Sequence, residues 1–225
     1  MRPFEYLKEK NKLIEENMEI RKQKHYIEQK FNMLNNNLNE ITNKYIKLLE
    51  QKAEQFDLYV KYHDTEWGIA SYDDKYLFEM LVLESFQAGL SWITILKKRE
   101  YFRKAFDNFN PIIISKYKEN KIDELLQNGN IIRNKLKIKA TIKNAEIFLD
   151  IQKEYGSFSN YIWSWTEGKV IKSDGETLKT SSELSDKISR DLYKKGMRFV
   201  GTTIIYSYLQ AIGIIDDHEK NCYKY

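Results

Sequence analysis

"KKGMRFVGTTIIY", Lys194 to Tyr206, decides the fold. It reads as the end of one helix, a short turn carrying Gly196, and the start of a second helix near Thr202. That is a helical hairpin. The N-terminus of the second helix, Gly201–Thr203, offers free backbone N–H groups and two hydroxyls, an anion site suited to a phosphate. Lys194, Lys195 and Arg198 supply positive charge beside it. The same pattern also serves as a purely structural hairpin, so its role depends on the residues around it.

Outward from the hairpin the chain is nearly all helix. Asp73 or Asp74 caps a helix running to about Ala88, which Gly89 ends. Further helices are predicted over Ile93–Phe106, Ile112–Tyr117, Ile122–Asn128, Asn134–Tyr155, Leu184–Lys195 and Thr202–Ile212. Gly129 and Gly156 punctuate them, and Pro111 breaks the chain after the second. Thr166–Thr180, with Gly168, Gly175 and Val170 beside Ile171, reads as a loop or short hairpin. The fold class is therefore all-α. No βαβ pattern and no glycine-rich nucleotide loop are present, which argues against a dinucleotide or P-loop enzyme and against an organic cofactor.

The N-terminal quarter differs in kind. All nine glycines lie at Gly68 or later, and the first 67 residues hold one proline, Pro3. Apolar or aromatic residues recur every seven positions at Tyr6, Leu13, Ile20, Ile27, Leu34, Ile41 and Leu48. The positions four further on are mixed: Lys10, Asn17 and Lys24, then Phe31, Leu38 and Tyr45, then Lys52. This predicts a long helix with coiled-coil character over residues 1–56, its seam strongest from Ile27 to Leu48, ahead of a domain over 57–225. A solvated helix along its own domain, a self-association helix giving a homodimer, and a partner-binding arm all fit the pattern.

Bulk composition sets outer limits. The chain has 225 residues, 42% hydrophobic, and a net charge of +4, too mild to establish a nucleic-acid partner by itself. One cysteine, Cys222, excludes an intrachain disulfide and fits a reducing cytosol. The longest uncharged stretch, Phe199 to Ile215, carries Thr, Ser and Gln and is too short for a membrane span. A soluble cytoplasmic protein without membrane association is expected.

Two constellations bear chemistry. In "FEMLVLESFQAGLSW", Phe78 to Trp92, Glu84 shares a helical face with Met80, Leu81, Gln87 and Ala88, and the flanking cations stand no closer than Lys75 and Lys97. A carboxylate on such a stripe either turns to water or awaits a ligand. Tyr59, Tyr62, Trp67 and Trp92 crowd the same region. Rings that stack on a base plus a carboxylate that accepts from its edge are what a flipped-base pocket requires; an aromatic core cluster is the alternative. The second constellation is His63 with His218 and Cys222, the last two one helical turn apart. Three such residues suit zinc, although structural zinc normally takes four protein ligands; a His–Asp hydrogen bond and a free thiol would look the same.

"YHDTEWG" (62–68), "LFEMLVLESFQAGLSWITILKKR" (77–99), "IIRNKLKIKATIKNA" (131–145) and "FVGTTIIYSYLQAIGIIDDH" (199–218) resemble the Tag family, DNA-3-methyladenine glycosylase I, over about Asp57 to Cys222. The resemblance implies a helix-hairpin-helix DNA glycosylase fold and monofunctional hydrolytic excision of 3-methyladenine from alkylated double-stranded DNA. It places family base-pocket residues on Tyr62, Glu84 and Trp92, with Tyr59 and Trp67 nearby, and family zinc ligands on His63, His218 and Cys222. Glu84 then faces the flipped base, Trp92 stacks on it, and the hairpin residues Lys195, Arg198, Gly201, Thr202 and Thr203 hold the DNA backbone.

One departure stands out. The family opens with a short segment carrying a Cys and a nearby Trp, where this chain has "KLLEQKAEQFDLYV" (47–60) with neither. The fourth zinc ligand and one wall of the pocket are absent. Metal binding weaker than a complete four-ligand site gives, or none, is the expectation, and a non-catalytic DNA-binding or coiled-coil relative is the competing reading.

Overall fold

A computed structural model describes the backbone of residues 3–177 and 179–225, and side chains from Glu16 onward. The chain packs as two compact units, Met1–Gln55 and Phe56–Tyr225. One continuous helix, α1 (Pro3–Thr65), spans the first unit and enters the second. Without glycine or internal proline, nothing in its sequence interrupts the hydrogen-bond ladder. Along it Ile20, Ile27, Phe31, Leu34, Leu38, Ile41, Tyr45 and Leu48 are between 46% and 66% exposed, left largely uncovered by the described residues. The side chains of Tyr6, Lys10 and Leu13 lie outside the described residues.

The second unit is built around α2 (Asp74–Gln87). Asp73 caps it, its carboxylate accepting from the N–H groups of Lys75 and Tyr76. Every residue from Leu77 to Phe86 is buried, the mark of a central helix enclosed on all sides. Around it stand α3 (Trp92–Ala105), α6 (Lys135–Tyr155), α7 (Phe158–Ser164) and α9 (Thr202–Ala211). The short helices α4 (Pro111–Ile114) and α5 (Glu119–Gln127) pack on α6, and α8 (Glu183–Lys195) pairs with α9. Phe78, Phe86, Phe102, Phe106, Phe148 and Phe158 are all fully buried and meet edge-on or stacked.

One predicted helix is shorter than expected, one helix is not among those predicted, and Thr166–Thr180 takes the loop rather than the hairpin alternative. The helix predicted over Ile112–Tyr117 is the single turn α4, opened by the Asn110 cap and by Pro111, whose missing N–H costs nothing in a first turn. Helix α7 has no counterpart among the predicted elements. Ser157 caps it, and the Asp74 carboxylate accepts from the N–H groups of Phe158 and Ser159 at 2.8 and 2.7 Å, a partner 84 residues away. Within Thr166–Thr180, where Leu178 lies outside the described residues, no hairpin forms. Instead β1 (Ile171–Lys172) pairs in parallel with β2 (Ile215–Asp216), two residues each, and the fold remains all-α.

Candidate active site

Tyr62 lies in the last turns of α1, Glu84 in the last turn of α2, and Trp92 opens α3. Gly89, at φ +79°, reverses the chain between the last two in a conformation that non-glycine residues rarely adopt. The Tyr62 and Trp92 rings stand 5.4 Å apart and are tilted by 53°. Glu84 is 3% exposed, and its Oε2 has no hydrogen-bond partner; the buried Nε1 of Trp92 has none either. An unmade hydrogen bond on a buried polar atom costs about 1–3 kcal/mol, so two together mark a site prepared for something else. Burial pushes the Glu84 carboxyl up to about 8. Burial, and then the charge of Glu84, push the Tyr62 hydroxyl well above its ordinary range.

Tyr59 has a different task. Its hydroxyl accepts from the N–H of Ile93 at 3.1 Å, filling one of the unpaired donors at the start of α3 and so setting the helix that presents Trp92. Arg99, which sequence reasoning missed, ties the frame from the other side. Its guanidinium donates to Glu66 at 2.7 and 2.9 Å and to Glu79 at 2.6 Å, joining the chain just past α1 to α2 and α3. A surface cavity of about 610 Å³ lies elsewhere, lined by Asp74, Asp107, Asn110 and Gln152 among others; none of Tyr62, Glu84 and Trp92 lines it.

The structure brings His63, His218 and Cys222 together, with their ligand atoms all within 4.8 Å of one another. Trp67 stands here: its ring is edge-on to His218 at 4.8 Å and stacked with His63 at 6.1 Å. Each imidazole has its Nδ1 held by a carboxylate, Asp64 at 2.7 Å for His63 and Asp216 at 2.6 Å for His218. That leaves both Nε2 atoms clear of the carboxylates: that of His63 lies 3.4 Å from the Cys222 Sγ, and that of His218 is buried without a partner. Gly68 makes room: a Cβ there would come within 2.6 Å of the His218 ring. The donor set fits a borderline-soft divalent ion such as zinc, with three ligands in place.

At the hairpin, Gly201 precedes α9 without a side-chain cap, and Thr203 is exposed. The Thr202 hydroxyl meets that of Ser185 at 2.8 Å. Lys195 lies against Glu154 at 3.3 Å and over the Tyr155 and Tyr161 rings, and Arg198 donates to the carbonyls of Gly196 and Met197 and covers Tyr193. Both cations thus have partners within the protein. The turn itself is pinned by residues that sequence reasoning missed. Asn144 bonds both the N–H and the carbonyl of Arg198, Ser189 bonds the carbonyl of Val200, and Ser85 bonds that of Phe199. Lys137, buried in α6, donates to the carbonyls of Phe86 and Ala88 and closes the end of α2. Its one sequence signal is a lysine on the inner face of a helix.

An all-α unit with a capless helical hairpin and a buried carboxylate close to an aromatic pair has the features of a DNA glycosylase-like protein. Residues 52–225 match the methyladenine glycosylase family, and the chain belongs to that family. It is 43% identical over 173 residues to DNA-3-methyladenine glycosylase 1 of Escherichia coli K12, covering 76% of this chain and 92% of the relative. It is likewise 43% identical over 168 residues to the DNA-3-methyladenine glycosylase of Haemophilus influenzae Rd, covering 73% and 91%. Among solved structures, 3-methyladenine DNA glycosylase I of Staphylococcus aureus, described for its recognition of 3-methyladenine, superposes with a TM-score of 0.72 at 38% identity, over 74% of this chain and 90% of that one.

Proposed function

We infer that this chain is a DNA-3-methyladenine glycosylase acting in base-excision repair on alkylated DNA. The observation that carries the reading is the buried, unpartnered carboxylate of Glu84 beside Tyr62 and Trp92. Methylation at N3 gives adenine a positive charge and weakens its bond to the sugar. Water adds its oxygen to C1′, the C1′–N9 bond breaks, the base leaves with the bonding electrons as neutral 3-methyladenine, and the water proton goes to solvent. Little general acid is needed. What is needed is extrusion of the nucleotide, a ring to stack on, and a negative group to complement the cation. Trp92 supplies the stacking face, Tyr62 and Glu84 read the edge, and the N-terminus of α9 with Lys195 and Arg198 grips the phosphates. Lys137 spends its ammonium on two carbonyls, in keeping with hydrolysis rather than a Schiff base. The reading includes a cytoplasmic location; among the described residues no helix is long and apolar enough to cross a membrane. The test is release of free 3-methyladenine from methylated duplex DNA by the purified protein. Absence of release with wild-type protein would favour a non-catalytic relative.

His63, His218 and Cys222 would hold a zinc ion, which would tie the start of the unit to its C-terminal segment. The supporting observation is the buried, partnerless Nε2 of His218 facing the other two donors.

Self-association through α1 belongs to the same proposal. A seven-residue repeat needs a partner helix of matching repeat. The next longest helix, α6 at 21 residues, turns its apolar face into its own core, so a second copy is the proposed occupant. Light scattering tests it.

A further inference from the structure

The chain has one cysteine and three histidines. Two histidines and the cysteine are in the cluster; the third, His25, sits exposed on α1, bonded to Gln29. Among the described residues no fourth His, Cys, Asp or Glu joins the three. Asp64 and Asp216, the nearest carboxylates by contact, are committed to the imidazole Nδ1 atoms. Three protein ligands and one open position is the arrangement of exchangeable zinc sites, whereas structural sites are closed by a fourth side chain. The cluster is also reachable: His218 is buried, but the His63 side chain is 35% exposed and Cys222 is partly exposed.

Within the coordination sphere, a divalent ion, one thiolate and two neutral imidazoles leave a net single positive charge. The Lys224 ammonium, bonded to the Asp64 carbonyl, lies beside it, and the Asp64 and Asp216 carboxylates against the imidazoles offset both charges. Sulfur at the fourth position restores the two-nitrogen, two-sulfur set that suits tetrahedral zinc. We propose that His63, His218 and Cys222 form an open three-ligand metal centre whose fourth position takes a small exogenous thiolate. On binding, the thiol loses its proton to solvent and displaces water; no electron is transferred. The proposal rests on the metal reading above, and the experiment separates the two.

Metal-free full-length protein is titrated with cobalt(II) alone. Cys222 is the one sulfur ligand the chain can offer, so the thiolate-to-metal absorption reports a single bond. Adding 2-mercaptoethanol should then raise that absorption roughly twofold, saturably, as a second thiolate joins. A spectrum unmoved by thiol would show a closed centre and overturn the open position while leaving the metal reading standing. Loss of the cobalt spectrum on adding equimolar thiol would overturn it as well. No cobalt uptake at all would sink the metal reading and this one with it. Cys222→Ser, checked for fold by circular dichroism, should take up cobalt without the initial sulfur band; retention of that band would refute the ligand assignment.

Discussion

The hydroxyl of Ser85, next to Glu84 on α2, lies 2.8 Å from the carbonyl of Leu81 and 3.0 Å from that of Phe199, so its one proton is shared between its own helix and the turn of the hairpin. The helix that carries Glu84 therefore touches the hairpin turn at this point. Ser85→Ala should cost about 1 kcal/mol of stability, as is usual for such a bond. It should weaken binding to duplex DNA more than binding of free 3-methyladenine. Urea unfolding and the two affinities check this; equal losses in both affinities would contradict a hairpin-specific effect.

Glu84→Gln should keep the fold and reduce excision about 100-fold or more, as when a charge-complementing group is lost. It should also change the pH dependence of stability. The folded carboxyl titrates near 8, above its ordinary range, so the folded state holds the proton longer than the unfolded one. Below the unfolded value both states are neutral and no penalty exists. As pH rises towards 8 the unfolded state ionises first and stability falls, by a few kcal/mol in order of magnitude, then levels off. The wild-type minus Gln difference should trace that decline. A flat difference between about pH 5 and 9 would show that Glu84 is not held neutral.

Trp92→Ala should weaken binding of 3-methyladenine by about 1–3 kcal/mol if the indole stacks on the base. Calorimetry measures it directly, and an unchanged affinity would remove Trp92 from the pocket.

Lys195→Ala or Arg198→Ala should lower DNA affinity equally for all sequences. Each should flatten the salt dependence by about one unit for every phosphate the side chain had neutralised. If both variants keep the wild-type slope, their partners within the protein, Glu154 for Lys195 and the turn carbonyls for Arg198, are the whole of their role.

Removing residues 1–50 should leave a folded monomer, while the full chain self-associates through the Ile27–Leu48 seam. Light scattering on both decides it, and a monomeric full chain would defeat the dimer.

Most helices are legible in the sequence because apolar spacing and caps coincide, as at Asp73 and at Asn134, whose side chain accepts from Leu136 and Lys137. Helix α7 is hidden because part of its N-terminal capping comes from Asp74, across the core. Glu84 is conspicuous as a carboxylate without a nearby cation. Ser85 and Asn144 are not, since a hydroxyl or an amide aimed at a distant carbonyl leaves no local pattern, and Lys137 shows only as a lysine on an inner helix face. Arg99 reads as an ordinary surface cation until Glu66 and Glu79 are folded around it.

If Glu84 reads the flipped base as proposed, the upward shift of its carboxyl to about 8 would make the site a proton-linked filter. Below pH 8 a neutral adenine meets a neutral acid, and nothing in the charge balance opposes it. A cationic base does better by driving the proton off, and its advantage should grow by up to about tenfold for each unit of pH until the carboxyl is already ionised. Above that point an undamaged base would seal a bare charge away from water, while the lesion neutralises it. Discrimination between damaged and normal purine would then depend on acidity as well as on shape, and alkaline conditions should sharpen it.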